Sequence, residues 1–432
     1  MDSGSGQKSE LKQVFNNLKG CENLDYVTCW FKKASDFFAG TPKEIAFVAT
    51  NSICQGEQVS VLWKELFAQY GTKVNFAYRT FKWENEAKGK AAIHCIIVGF
   101  SSGERAGKIL FSEEGVAHHV TAISPYLTAN SKAYIEPRKT SLSTSNKMNF
   151  GNQPRDGGHF ILTDIEKNIL LEAEPSLSPW IRRYVGAEEF INNSVRWCLW
   201  LKGISAEQIA ESKILSEKVA AVREFRFASK AKTTNGYAKV PMLFSQITQP
   251  DDCSFLIVPC VSSERRKYVP IGFMPSNVIA SNAVQIVPNA TFYDFAIITS
   301  AMHMAWMRTV CGRLEMRYRY SRDLCYNTFP WPTPSNHQKK HIETLAENVL
   351  LTREMYPDMT LADMYDPGTM PDLLRAAHAA LDIAVDALYR KKPFSSDEER
   401  LQLLFGLYEK LVAKNPQNGA ANNDAEGASD DN

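Results

Sequence analysis

The chain contains no Pro-Pro dipeptide, no two cysteines at Cys-x-x-Cys spacing, and one Gly-x-Gly, Gly4-Ser-Gly6, which no strand pattern precedes. Without paired cysteines the common zinc and thiol-redox motifs are excluded. Without a glycine-rich turn between a strand and a helix, the usual nucleotide cradle is excluded too. The nine cysteines are odd in number, which points to reduced, mostly buried thiols in a cytosolic protein. No apolar run reaches the roughly 18 residues that a membrane span needs, and the N-terminus has no charged-then-apolar signal pattern. The reading is a soluble, cytoplasmic chain with no membrane partner. A formal net charge of +1 gives no overall attraction to a polyanion, so any case for nucleic acid must come from local charge.

What is present suits a folded protein. The 432 residues, 44% hydrophobic and 22% charged, hold enough apolar material for more than one core. The opening MDSGSG reads as a flexible leader, and residues 1–20 as leader and linker. Leu24, Val27, Phe31, Ala34 and Phe38 recur at helical spacing and end at Gly40. A strand over Ile45–Thr50 follows, then a dense polar turn, then a helix built on Val59, Leu62, Leu66 and Phe67. Two strands, Asn75–Trp83 and Ala91–Phe100, are joined by the charged stretch 84–90 with no crossover helix. That arrangement predicts the antiparallel edge of a mixed sheet.

From Ser124 to Gly158 the texture turns to frequent Pro, Gly, Ser and Asn, which marks a boundary near residue 125. The middle third alternates helix (around Ala206–Lys230) with strands (Phe255–Val261, Tyr268–Phe273, Ala283–Val287), an α+β pattern. From His337 to about Val412 helical periodicity dominates, as in Leu373, Leu374, Ala377, Leu381, Val385 and Leu388. A polar acidic tail, taken as disordered, completes the sequence. The divisions are 1–20, 21–125, 126–335, 336–413 and 414–432.

The segments Leu24-Asp-Tyr-Val, Phe47-Val-Ala-Thr-Asn-Ser-Ile-Cys-Gln-Gly-Glu-Gln and Phe76-Ala-Tyr-Arg-Thr-Phe-Lys-Trp resemble consecutive motifs of the MmeI-like (type IIL) restriction-modification enzymes. Phe150-Gly-Asn-Gln-Pro, Asp156-Gly-Gly-His, Val185-Gly-Ala-Glu-Glu-Phe, Arg196-Trp-Cys-Leu-Trp, Val261-Ser-Ser-Glu-Arg-Arg, Met302-His-Met-Ala-Trp and Tyr326-Asn-Thr-Phe-Pro-Trp continue the match in order. The resemblance implies a fold and a division of labour. Residues 21–125 would be the later half of an α/β, Rossmann-like methyltransferase domain of the gamma arrangement. Residues 126–335 would be an α+β target recognition domain, followed by a helical C-terminal region.

The implied activity is site-specific, adenine-N6 DNA methylation with S-adenosylmethionine. Two of its requirements are missing from the sequence: the glycine-rich cofactor turn and the Asn-Pro-Pro-aromatic loop that holds the target base. Adenine N6 is a poor nucleophile, and acceptors must hold it beside the methyl donor. The sequence therefore reads as starting after that loop, catalytically incomplete alone and binding no cofactor alone. A separate polypeptide carrying the other half is one implied partner, double-stranded DNA the other. The alternative is a non-catalytic DNA-binding remnant of a truncated gene, and a third reading is an incomplete sheet whose apolar edges impair folding.

The resemblance assigns candidate sites. Phe81 and Trp83, alternating on one strand with Phe76 and Tyr78, fall in the motif that flanks the flipped adenine. Alternating aromatics also simply fill sheet cores. The specificity positions map to Ala283, Glu315, Arg317 and Arg319. In a major groove a carboxylate accepts from cytosine N4 and an arginine donates twice to guanine. Glu315 and Arg317, on one face if the segment is extended, would read the two members of a C·G pair. The bland reading is a surface ion pair of little energetic worth. Arg265, Arg266, Lys267 and Arg313, with Arg223, Arg226, Lys230 and Lys232, are candidates for phosphate contacts that position without specifying. Asn51, Ser52, Gln55, Gly56, Glu57 and Gln58 follow a strand at its carboxyl end, where α/β ligand sites lie, but a helix cap explains part of them. His118 and His119, adjacent on a strand, face opposite ways, and no metal is assigned.

Overall fold

The computed structural model describes residues 5–83 and 93–415. The stretch 84–90, expected as a charged connection, and residues 416–432 lie outside them. The first helix, α1 (Ser5–Val14), corrects the leader reading: Leu11 and Phe15 are buried in the core. Their spacing of four places both on one helix face. The short, polar start of the sequence masked that signal.

Helix α2 (Thr28–Phe38) and helix α3 (Gly56–Tyr70) flank strand β1 (Glu44–Thr50) in sequence. The sheet is completed by β2 (Lys73–Trp83), β3 (Ile93–Ser101), β4 (Lys108–Phe111) and β5 (Ala117–Val120), in the order β1-β3-β2-β4-β5. β3 runs antiparallel to both β1 and β2, and β2 is parallel to β4. This is the mixed sheet with antiparallel pairing that the missing crossover helix predicts. Phe31 of α2 stacks on Phe100 of β3 with ring centroids 5.3 Å apart, and Trp63 of α3 meets Phe31 edge-on. The helices thus bury their apolar stripes on one sheet face. Among the described residues β1 pairs only with β3, so its other edge is open.

Residues 149–319 build three small sheets. β6 (Asn149–Phe150) joins β10 (Phe255–Pro259), β12 (Gly272–Met274) and β14 (Val284–Pro288) in the order β12-β10-β14-β6. β7 (Ile161–Leu162), β8 (Ile181–Val185), β9 (Trp197–Leu199) and β13 (Val278–Ala280) form a second, in which β8 and β13 are parallel. β11 (Val261–Ser262), β15 (Gly312–Leu314) and β16 (Arg317–Arg319) form the third. The expected strand Tyr268–Phe273 is shifted, because Tyr268, Val269 and Ile271 pass into the core as irregular chain. The expected helix around Ala206–Lys230 is two helices, Ala206–Glu211 and α4 (Lys213–Phe227), divided at Ser212, whose hydroxyl caps α4 by accepting from Leu215 N at 3.0 Å.

Helices α5 (Phe292–Thr299) and α6 (Ala301–Val310) run through the interior. The C-terminal helices α7 (Asn336–Glu354), α8 (Asp372–Tyr389) and α9 (Asp397–Lys414) pack over them. One apolar core extends from Leu11 to Tyr408 and joins the first sheet, part of the middle region and the C-terminal helices, while α4 and the β7-β8-β9-β13 sheet pack in smaller cores of their own. Glu398 of α9 shows how tightly they are joined. Its carboxylate accepts from Arg79 Nη2 of β2 at 2.5 Å and from the Ala129 amide at 2.6 Å. Among the described residues no helix is long and apolar enough to cross a membrane.

Candidate functional site

β15 and β16 form a hairpin closed by the two residues Glu315 and Met316. Glu315 therefore lies in the turn and not on an extended strand, which revises the geometry expected from the sequence. Its φ is 58°, a left-handed conformation that a Glu adopts only at a cost. Two-residue hairpins need positive φ at the first turn position because such turns match strand twist, and glycine is the usual residue there. A strained, charged residue at the tip is a feature that packing alone does not call for.

The Glu315 side chain is 78% exposed, and its carboxylate accepts from Arg317 Nη2 at 3.1 Å. Arg317 and Arg319 point outward from β16, while Tyr318 between them is buried. Arg319 is exposed, and its side chain has no hydrogen-bond or ion-pair partner among the described residues. Ala283, also exposed, sits at the foot of the hairpin: its carbonyl accepts from Cys260 N at 3.1 Å, and the Cys260 carbonyl accepts from Tyr320 N at 2.8 Å. Glu315, Arg317 and Arg319 therefore share one hairpin and expose a carboxylate and two guanidinium groups on it, and Ala283 is joined to that hairpin through the backbone of Cys260 and Tyr320.

The basic residues divide into free and engaged ones. Arg265 and Lys267 are largely exposed: Arg265 contacts Asp366 at 3.4 Å, and Lys267 contacts Asp382 at 4.0 Å and lies over the Tyr268 ring at 5.0 Å. Arg266 is half-buried, and burial lowers its pKa. Arg313 stacks over the Tyr318 ring at 4.5 Å and donates from Nη1 to the Met316 carbonyl at 3.2 Å, so it braces the turn. Arg226 is a correction. It is wholly buried, and its guanidinium donates to the carbonyls of Pro154, Arg155, Tyr237, Val240 and Leu243. A side chain holding five carbonyls inside the protein cannot meet a phosphate. Arg223, Lys230 and Lys232 are exposed.

At the end of β2, Phe81 is half-buried and Trp83 is 51% exposed, with ring centroids 6.3 Å apart. Neither belongs to a buried core cluster. The alternation with Phe76 and Tyr78 is broken by a register shift between Tyr78 and Phe81. Tyr78 instead stacks on Phe111 at 3.9 Å. The polar turn after β1 is wound as a 3-10 helix, Asn51–Cys54, and closed by Trp63 Nε1 donating to the Ile53 carbonyl at 2.8 Å. No side-chain cap is made at Gln55. Gln58 ties this turn to the preceding loop, accepting from Asp25 N and donating to the Asn23 carbonyl. His118 and His119 are exposed on β5, and among the described residues no three His, Cys, Asp or Glu side chains gather at metal-binding distance.

Sequence reasoning missed the residues beneath the hairpin. Gln285 Nε2 donates to the Tyr320 carbonyl at 2.9 Å, and the Tyr320 hydroxyl meets His303 Nε2 at 2.8 Å. Cys325 Sγ lies 3.4 Å from the same nitrogen. Burial drops the His303 pKa to about 3 and raises those of Tyr320 and Cys325. The group is neutral and acts as a rigid floor. Polar residues inside apolar runs were its only trace in the sequence.

Family models match three successive parts of the chain: MmeI, DNA-methyltransferase domain over residues 2–112; MmeI, target recognition domain over 129–333; and MmeI, C-terminal domain over 334–415. DNA methyltransferase A of Bacillus subtilis (strain 168) is 40% identical over 408 residues, covering 94% of this chain and 46% of that protein. The solved structure of the type IIL restriction-modification enzyme MmeI in complex with DNA is 44% identical with a TM-score of 0.87, covering 95% of this chain and 55% of that one. The chain spans about half the length of the relatives it matches.

Proposed function

Because the chain belongs to the MmeI-like family of restriction-modification enzymes, we propose that it supplies sequence-specific DNA recognition to a methyltransferase acting on adenine N6 with S-adenosylmethionine. The observation that carries this reading is the hairpin tip, where a Glu held at positive φ stands beside an exposed arginine. A carboxylate and a guanidinium held at hydrogen-bonding separation match the donor on cytosine and the two acceptors on guanine across one base pair. Ala283 and Arg319 extend the same surface. Arg265 and Lys267 contribute phosphate contacts that hold register without choosing sequence.

The cofactor is a different matter. The turn at the carboxyl end of β1 is closed on itself and buries Ile53 and Cys54, and the sequence has neither a glycine-rich cradle nor an Asn-Pro-Pro loop. These residues do not make an S-adenosylmethionine site, and no chemical step is assigned to them. Phe81 and Trp83 offer aromatic surface to an extruded base, and methyl transfer requires residues beyond those of this sequence. The open edge of β1 favours a second part of the sheet over a free-standing DNA-binding remnant.

Selection of this chain against random DNA duplexes tests the reading. Enrichment of one short motif containing a fixed C·G pair is expected, and a pool retained without preference, or not retained, would overturn it. Mixing with a polypeptide carrying Asn-Pro-Pro and labelled S-adenosylmethionine separates the two forms of the proposal, since a remnant transfers no label.

A further inference from the structure

Gly56 and Gly312 meet backbone to backbone. A Cβ built on Gly56 would stand 3.0 Å from Gly312 Cα and 3.2 Å from its nitrogen, tighter than ordinary carbon contacts allow. Gly56 opens α3, directly after the turn that ends β1, and Gly312 opens the hairpin. One residue belongs to the part matched as methyltransferase and the other to the part matched as recognition domain. The contact is therefore the place where the hairpin rests on the start of α3.

From this contact we infer that Gly56 and Gly312 form a positioning pair that sets the height of the hairpin and so the register of Glu315 and Arg317 against a base pair. The inference rests on the base-reading proposal and adds residues that touch no DNA. Its physical basis is that the rest of the hairpin cannot give way. β16 is pinned by pairing with β11, by Tyr320 N to the Cys260 carbonyl, and by Gln285 to the Tyr320 carbonyl. A push on Gly312 moves β15 alone and shears it against β16. That displacement reaches the turn, where Arg313 of β15 holds the Met316 carbonyl. Paired hydrogen bonds to base edges tolerate only about 0.5 Å of error.

Gly56 has a φ of +61°, so any side chain there also carries backbone strain. The same helix provides the control. Gly71, at its other end, has a φ of +60° and nothing within 4 Å of an added Cβ. Gly71→Ala therefore carries the strain without the collision.

The full chain and its Gly56→Ala and Gly71→Ala variants would each be selected against random duplexes, and their relative affinities for the enriched site and its single-pair alternatives measured. Gly71→Ala is expected to keep the preference of the unmodified chain. Gly56→Ala is expected to lose about tenfold in discrimination at the hairpin-read pair, with binding to unrelated duplexes at low salt unchanged. Should Gly56→Ala melt too low to study, Gly56→Asn against Gly71→Asn repeats the comparison, since Asn accepts left-handed backbone and brings the same Cβ. Equal discrimination by the position 56 and position 71 variants would overturn the inference while leaving base reading intact. A flat pool from the unmodified chain would sink both.

Discussion

The Tyr320 hydroxyl stands 2.8 Å from His303 Nε2 at a point closed to solvent, one residue beyond the end of the hairpin. Removing the hydroxyl leaves a buried ring nitrogen without its best partner. Tyr320→Phe is expected to lower stability by about 1–3 kcal/mol, read from the denaturant midpoint, with little change in the denaturant slope.

The same histidine makes the fold sensitive to acid. His303 is held at a pKa of about 3 by burial, well below its ordinary 6.5, and His378 is lowered by burial and by Arg353 and Lys267. The unfolded chain therefore binds protons that the folded chain refuses, so stability is complete above pH 6.5 and is lost as the pH falls toward 3. By pH 5.5 His303 alone accounts for about 1–2 kcal/mol. Chemical denaturation at pH 7.5 and 5.5 checks the loss, and His303→Gln is expected to reduce it.

Exchanging the charges at the tip tests recognition directly. Glu315→Lys with Arg317→Asp is expected to reverse the preferred pair from C·G to G·C, whereas either change alone mostly weakens binding. Unchanged preference in the double variant, measured by selection, removes these two residues from the reading role.

Neutralising a positioning cation has another signature. Arg265→Gln is expected to weaken binding to all duplexes alike and to lower the slope of log affinity on log salt by about 1. A loss confined to one sequence would contradict the assignment.

Arg226 belongs to stability alone. Arg226→Met leaves five carbonyls around a buried position without their donor, and a cost of about 3 kcal/mol is expected. Arg223→Met, three residues earlier and exposed, is expected to cost almost nothing. Thermal melts of the two proteins separate these roles.

Much of this architecture is written in hydrophobic spacing. The face of α2 and three strands of the first sheet follow from apolar spacing and apolar runs, whereas the short β4 and β5 gave no such signal. Leu374, Ala377, Leu381 and Val385 of α8 are buried as their spacing predicts, whereas Leu373, placed in the same pattern, faces solvent. Spacing failed where the chain is buried without regular structure, as at Tyr268–Ile271, and where polar side chains are buried by specific partners, as at Arg226. A local pattern cannot distinguish an arginine that faces water from one that gathers five carbonyls from distant segments. The hairpin tip was legible by residue type but not by conformation, since nothing in Leu-Glu-Met-Arg announces a turn. The contact of Gly56 with Gly312 joins positions 256 residues apart, and no local reading could foresee it.

Glu398 links three stretches of chain that sequence order keeps far apart. Trimming the last helix would therefore do more than shorten the protein. The strand that carries Phe81 and Trp83 would lose its brace, and damage at one terminus would register as a fault in a surface near the other.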